Sequence, residues 1–385
     1  MTVTRPAVSV VIPCLNERET VGICVSKARQ AFDDLGLVGE VVVSDNGSSD
    51  GSPDIAAEHG AVVVHTHERG YGNAYLAGFR AAQGNVLLMG DADDTYDFSR
   101  VGDFLAAMTD GCEFVNGSRL RGTILPGSMP WLHRYIGNPL LSGVLNAFFH
   151  TGFSDAYCGM RAFTRDAYDR IRPRSSGMEF ALEMIINAAK AGLRSTEIPI
   201  TYYPRRGESK LRSLKDGWRS LRFMLLYSPT HLFVIPGLAA FLAGLLLLLS
   251  LLFGSPVVAG HPLGNHSMLV GALLTILGVQ VLAIGLQAGT HSLAERFEKD
   301  NALLALFYRC FNLERGLLIG GLLVAAGLAV YLYLLVLWWS SGFGPLFQER
   351  PAIAALVLVV VGVQIIMSAF FGSLLGLKMA AFRNE

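Results

Sequence analysis

Two carboxylates set one residue apart, Asp91 and Asp93, directly follow an apolar run at residues 85–89 that reads as a buried strand. Carboxylates crowded at the end of such a strand are costly unless a cation offsets their charge. At positions i and i+2 both can turn toward one hard divalent ion, Mg²⁺ or Mn²⁺, for which carboxylate oxygens are the natural ligands. Such a site would also hold a diphosphate. Asp94 and Asp97, in the same acidic stretch, read instead as helix caps or solvent-facing groups.

The elements before this stretch explain how it is held. Residues 8–12 form a β-branched run ended by Pro13, a strand of the buried parallel type. A helix is expected over 19–35, a second strand over 40–44, a helix opened by Ser52-Pro53, a third strand over 61–65, and a helix over 74–82 that ends at Gly84. This alternation predicts a doubly wound α/β sheet, in which ligands bind beyond the carboxyl ends of the strands. Pro13, Asn16, Glu17, Asp45, Asp91 and Asp93 all lie at such ends and should share one crevice. A dinucleotide fingerprint is excluded: Gly70-x-Gly72 does not follow the first strand, and Tyr75 stands where its third glycine belongs. Further strands are expected over 113–119 and 198–203, and a helix over 179–191. The segment 155–161 reads as a compact polar and glycine segment.

Formal net charge is zero, but the average hides a division. Residues 1–204 hold 17 Lys+Arg against 23 Asp+Glu, and no basic face interleaved with aromatics, which excludes nucleic acid as a partner. Five scattered cysteines show no metal-ligand spacing and read as reduced thiols. His133 and His150 lack a second ligand at suitable spacing. Residues 131–153 are apolar but broken by Gly and Pro, suited to lying at a membrane interface. Residues 205–222 hold seven Lys+Arg against two acids and read as a basic amphipathic helix on a lipid surface. Four apolar stretches, near 231–253, 266–290, 315–340 and 352–376, are each long enough to cross a bilayer. The loop at 254–265 has no Lys or Arg, whereas the 291–314 loop has Arg296, Lys299 and Arg309. The positive-inside rule therefore places the α/β domain and both termini on the cytoplasmic side of the cell membrane. The expected division is 1–204, a juxtamembrane segment 205–230, and a membrane domain 231–385, whose spans leave room for a homo-oligomer.

Six motifs carry a resemblance. Val-Val-Ile-Pro-Cys-Leu-Asn-Glu (10–17), Ser-Asp-Asn-Gly-Ser-Ser-Asp-Gly (44–51), Arg-Gly-Tyr-Gly-Asn-Ala (69–74), Gly-Asp-Ala-Asp-Asp (90–94), Gly-Ser-Arg (117–119) and Gly-Glu-Ser-Lys-Leu (207–211) occur in the order seen in family 2 glycosyltransferases. In particular the chain resembles polyprenyl-phosphate glycosyltransferases of the dolichyl-phosphate mannose or glucose synthase type. The resemblance implies a GT-A fold, a mixed doubly wound sheet. It implies transfer of a hexose from a nucleotide sugar, of the GDP-mannose or UDP-glucose type, to a lipid phosphate. Pro13, Asn16, Glu17, Asp45, Asp91 and Ala92 would then line the nucleotide sugar, and Asp91 and Asp93 would hold the metal. Arg119, Arg134 and Arg161 would meet the acceptor phosphate, and Asp155 would line the reaction centre as a catalytic group. Arg206 and Lys210 would close on the donor diphosphate. Leu15 stands where an aromatic is usual, and Thr95 where a glutamine metal ligand is common. The spacing between the arginine pair and Gly207 is shortened, so Arg205 and Arg206 are not distinguished for that role.

The chemistry agrees with the residue types. A phosphate monoester is largely dianionic near neutral pH, its second pKa being about 6, so it needs positioning more than deprotonation. No Ser-His-Asp or Cys-His set is needed. Two other readings compete: a processive polysaccharide synthase, which would carry a Gln-x-x-Arg-Trp motif absent from this chain, and a non-catalytic membrane scaffold serving a lipid-linked sugar flippase.

Overall fold

The computed structural model describes residues 6–109, 111–206, 213–254, 256–258, 260–294 and 312–383. The expected doubly wound sheet is present. Strand β1 (Val8–Cys14) is buried along almost its whole length, as a central parallel strand requires. It pairs in parallel with β2 (Gly39–Asp45) and β4 (Val86–Met89), and β3 (Val62–His65) extends the sheet beyond β2. Helices α1 (Val21–Leu35), α2 (Ser52–Glu58) and α3 (Tyr71–Ala81) make the crossovers. Helix α1 lays Val21, Cys24, Val25 and Ala28 on the core at helical spacing. It stops at Gly36, whose φ of 60° is the left-handed geometry of a helix C-terminus.

Past helix α4 (Val101–Met108) the sheet becomes mixed through β5 (Phe114–Ile124), β6 (Arg161–Thr164) and β7 (Ser195–Tyr202), in the order β3-β2-β1-β4-β6-β5-β7. Strand β6 runs antiparallel between β4 and β5, and β7 closes the edge parallel to β5. The compact segment 155–161 ends where strand β6 begins, at Arg161. The register sets Met89 opposite Arg161, and Arg161 opposite Asn116, so the 155–160 loop reaches the edge where β1, β2 and β4 end. Helices α5 (Asn138–Phe149), α6 (Arg165–Ile171) and α7 (Phe180–Lys190) belong to the first of two units, Met1–Met224, and α8 (Ser213–Leu226) runs through its end.

The second unit, Leu225–Glu385, holds four helices long and apolar enough to cross a membrane: Thr230–Phe253, Asn265–Gly289, Leu313–Ser340 and Glu349–Leu374. Small residues let neighbours approach closely. A Cβ on Gly244 would lie 2.4 Å from the Thr275 amide nitrogen, and one on Gly327 would lie 2.8 Å from the Ala355 carbonyl oxygen.

Candidate active site

The crevice begins with two loops that hold each other. Asn16, with φ of 54°, accepts the Ser49 amide on its Oδ1 at 2.9 Å, while its own amide donates to Ser48 Oγ at 2.9 Å. The Glu17 amide donates to Ser52 Oγ at 2.9 Å. Asp45 is buried and accepts the amides of Gly47 and Ser48 at 3.2 and 3.1 Å, with His65 Nδ1 3.3 Å away. Burial opposes its charge, yet these hydrogen bonds outweigh it and hold the carboxyl below the usual range. Asp45 thus shapes its own turn, and the turn presents Asn16 and Glu17. Pro13 is half-buried, and Ala92 is buried in the core.

At the end of β4 each metal-candidate carboxylate has one oxygen tied. Asp91 Oδ1 accepts from Tyr71 Oη at 2.9 Å and Tyr75 Oη at 3.2 Å. Its Oδ2 faces Gly159, where a Cβ would come within 2.8 Å. Asp93 Oδ1 accepts from Thr95 Oγ1 at 2.6 Å and from the Thr95 amide at 3.2 Å. Its Oδ2 lies 3.2 Å from Arg205 Nη1. Burial, and then the Asp93 charge, push the Asp91 carboxyl up to about 6, against the lowering effect of the two tyrosines and Arg205. This pair suits a hard divalent ion: each carboxylate keeps one oxygen outside its tyrosine or threonine hydrogen bonds, and one belongs to a group whose charge is undercompensated. Among the described residues no cluster of three or more His, Cys, Asp or Glu offers an all-protein cage. Thr95 serves Asp93 rather than replacing a ligand. Asp94 is no helix cap: it is buried, has φ of 57°, and pairs with Lys27 Nζ at 2.7 Å, whereas Asp97 does cap, accepting the Ser99 amide at 3.1 Å.

The basic side of the crevice differs from expectation. Arg205 reaches in, bridging Glu17 Oε1 at 2.8 Å and Asp93 Oδ2 at 3.2 Å. Arg206 has a side chain 60% exposed and comes only within 3.9 Å of Asp94. The assignment to Arg206 therefore passes to Arg205. The cause is backbone pairing: the Tyr203 amide donates to the Thr95 carbonyl at 3.0 Å, and Tyr96 bridges Tyr202, which fixes where the chain leaves β7. Lys210 lies outside the described residues.

Beyond Asp91 the site continues through aromatics. The Gly159 amide donates to Tyr96 Oη at 2.8 Å, Tyr96 packs on Tyr202 with centroids 5.5 Å apart, and the Arg119 guanidinium lies 5.0 Å from the Tyr202 ring centroid. Arg119 donates through Nε and Nη2 to the two oxygens of Asp155, at 2.7 and 2.8 Å. Burial works against its charge, but the Asp155 carboxylate overrides this and raises its pKa. Asp155 is fully buried with both oxygens on Arg119, so it cannot act on substrate and the catalytic assignment is withdrawn. Arg161 is also fully buried and donates to the carbonyls of Ala181 and Cys158. It supports the loop instead of meeting a phosphate. Arg134 is half-buried in the π-helical segment His133–Gly137, 5.2 Å from the Tyr135 ring centroid, and near it Trp131, Tyr135 and Leu140 are exposed.

Tyr71, Tyr75 and Gly159 were not singled out from sequence. Tyr71 lay inside a motif already quoted, and its hydroxyl within reach of a carboxylate was the one signal available. The glycines of that motif have a packing role: a Cβ on Gly72 would lie 1.9 Å from the Ser175 carbonyl oxygen.

The chain is similar to known proteins in both of its parts. A family profile described as glycosyl transferase family 2 matches residues 9–172, and one described as the glycosyltransferase family 2 C-terminal transmembrane region matches residues 286–376. The low-salt glycan biosynthesis hexosyltransferase Agl6 of Haloferax volcanii is 42% identical over 372 residues, covering 96% of this chain and 89% of the relative. The glycosyltransferase AglJ of the same organism is 32% identical, covering 73% and 92%. Its dolichyl-phosphate hexose transferase is 32% identical, covering 54% and 88%.

Proposed function

The chain belongs to glycosyltransferase family 2 and is a membrane-bound glycosyltransferase, and on that premise we propose that it moves a hexose from a nucleotide-diphosphate sugar to a polyprenyl or dolichyl phosphate. One observation supports this above the rest. Among the described residues, Asp91 keeps one oxygen without a hydrogen bond, Asp93 has an arginine partner, and a buried arginine with an unused nitrogen lies two aromatic rings away. The first group suits a diphosphate leaving group, the second an acceptor phosphate.

In this reading Asn16, Glu17 and the Asp45 turn line the nucleotide, and Arg205 with Lys210 binds the diphosphate. Asp91 and Asp93 hold Mg²⁺ or Mn²⁺, which when bound neutralises charge developing on the leaving nucleoside diphosphate. Arg119 and Arg134 orient the acceptor. An acceptor phosphate oxygen forms the new bond to the anomeric carbon as the bond to the diphosphate oxygen breaks, which inverts that carbon. No general base is required, because the acceptor is already ionised. The exposed Trp131, Tyr135 and Leu140 give the donor unit an apolar face for lipid, and the charge distribution favours a cytoplasmic site. The relative named for dolichyl-phosphate hexose transfer supports the acceptor class.

The test uses the full chain in detergent with Mn²⁺, radiolabelled GDP-mannose or UDP-glucose, and a short prenyl phosphate. Label should pass into the organic phase with at least one donor, and Asp93→Ala should lower kcat/KM by roughly 10²–10³-fold. Undiminished transfer by that variant would remove the metal assignment, and absence of lipid product with every donor would favour the scaffold reading.

A further inference from the structure

Strand β7 carries a carboxylate where a strand core ordinarily carries an apolar group. The Glu197 side chain is only 3% exposed. A buried carboxylate in mid-strand is costly unless several donors satisfy it. Oε1 accepts the amides of Ser154 and Asp155, each at 3.1 Å, and Oε2 accepts the Ser154 amide at 3.1 Å and the Ser154 hydroxyl at 2.7 Å. Asn116 Nδ2 lies 3.4 Å from Oε1 and donates to the Asp155 carbonyl at 3.0 Å. The next amide, that of Ala156, donates to Ser142 Oγ at 3.1 Å. Three consecutive amides of one loop are thus fixed by side chains from β7 and α5.

That loop has one evident product. Asp155 is aimed at β5, where its oxygens take the Arg119 amide, Nε and Nη2 at 3.1, 2.7 and 2.8 Å. Among the described residues Arg119 Nη1 has no hydrogen-bond acceptor, and Tyr202 covers one face of the guanidinium. The group is therefore held with one donor edge presented. A guanidinium fixed in this way loses little freedom when an oxyanion docks.

We propose that Glu197 is a positioning residue for the acceptor phosphate: by clamping the 154–155 backbone it sets Asp155, and through Asp155 the direction of Arg119 Nη1. The inference rests on the reading of Arg119 given above. It separates reach from charge. Glu197→Asp keeps the charge but withdraws the carboxylate by one methylene from the two amides. Glu197→Gln loses the charge and with it the exposed Arg121 Nη1 partner, 3.6 Å from Oε2, but keeps an oxygen that accepts both amides, while its NH₂ donates to the Ser154 hydroxyl.

The experiment measures acceptor KM with a short prenyl phosphate, and donor Kd in Mn²⁺, on the full-length chain in detergent. Glu197→Asp should raise the acceptor KM about 10-fold and leave donor Kd within about twofold, and Glu197→Gln should stay within about threefold on both. A residue that only stabilised the fold would move donor Kd and thermal midpoint together with acceptor KM. An unchanged acceptor KM in Glu197→Asp, or a larger loss in Glu197→Gln than in Glu197→Asp, overturns the proposal. Arg119→Lys separates the two levels. If it raises acceptor KM while Glu197→Asp does not, only the positioning role falls. If neither raises it, the reading of Arg119 falls first.

Discussion

Arg205 is the residue that most changes the chemistry of the crevice. It spans Glu17 and Asp93, so a protein cation sits beside the carboxylates that a divalent ion would need. A donor diphosphate offers Arg205 a better, bidentate partner and so frees Asp93. Arg205→Ala should raise donor KM about 10-fold, whereas Arg206→Ala should stay within about threefold, both read in steady-state kinetics. Residue type and spacing made Asp91 and Asp93 legible, but could not separate two adjacent arginines. Their difference comes from the direction in which the chain leaves β7. Thr95 was similarly opaque, since a hydroxyl in sequence does not say which carboxylate it serves. Asp91 adds a pH dependence. Its folded carboxyl titrates near 6, above the ordinary 3.8, so the folded protein binds the extra proton between those values. Its contribution to stability is therefore lost as pH rises through that window, and a divalent ion restores it. Mn²⁺ should raise the thermal midpoint more at pH 7.5 than at pH 5. An equal rise at both would show that Asp91 does not hold the ion.

At the scale of elements, the parallel half of the sheet was readable because β1, β2 and β4 are apolar runs ended by turn residues, with helices of 3.6-residue period between them. Strand β6 was not. It has four residues, begins with a buried arginine, and gains its place only by pairing with β4 and β5. Yet it delivers the 155–160 loop to the site. Gly159 is the point of closest approach, with Asp91 Oδ2 on one side and the Tyr96 ring on the other. Gly159→Ala should push on that oxygen and weaken Mn²⁺ binding about 10-fold in a titration, while α1 and the β1–β2 pairing stay intact. Unaltered Mn²⁺ affinity would mean that the oxygen is not a ligand.

For the whole molecule, the four spans were legible because each exceeds the length a bilayer demands, and their boundaries shift by only a few residues. What sequence could not supply is the packing inside the second unit, where Gly244, Gly320 and Gly327 meet neighbouring backbones. The Lys and Arg distribution predicts the topology. Alkaline phosphatase fused in the 254–265 loop should be active in a bacterial host, and the same reporter after the last span should be silent. The reverse pattern would put the donor site on the wrong side for a cytoplasmic nucleotide sugar.

The central claim is a single displacement by a lipid phosphate at the anomeric carbon, and the product carries its signature. Purified full-length protein, Mn²⁺, the accepted nucleotide sugar and a prenyl phosphate should yield a lipid whose mass exceeds the acceptor by one anhydrohexose. That product should contain a single phosphorus and show, by NMR, an anomeric configuration inverted from the donor. A lipid diphosphate, a retained anomer, or sugar released only to water would contradict it.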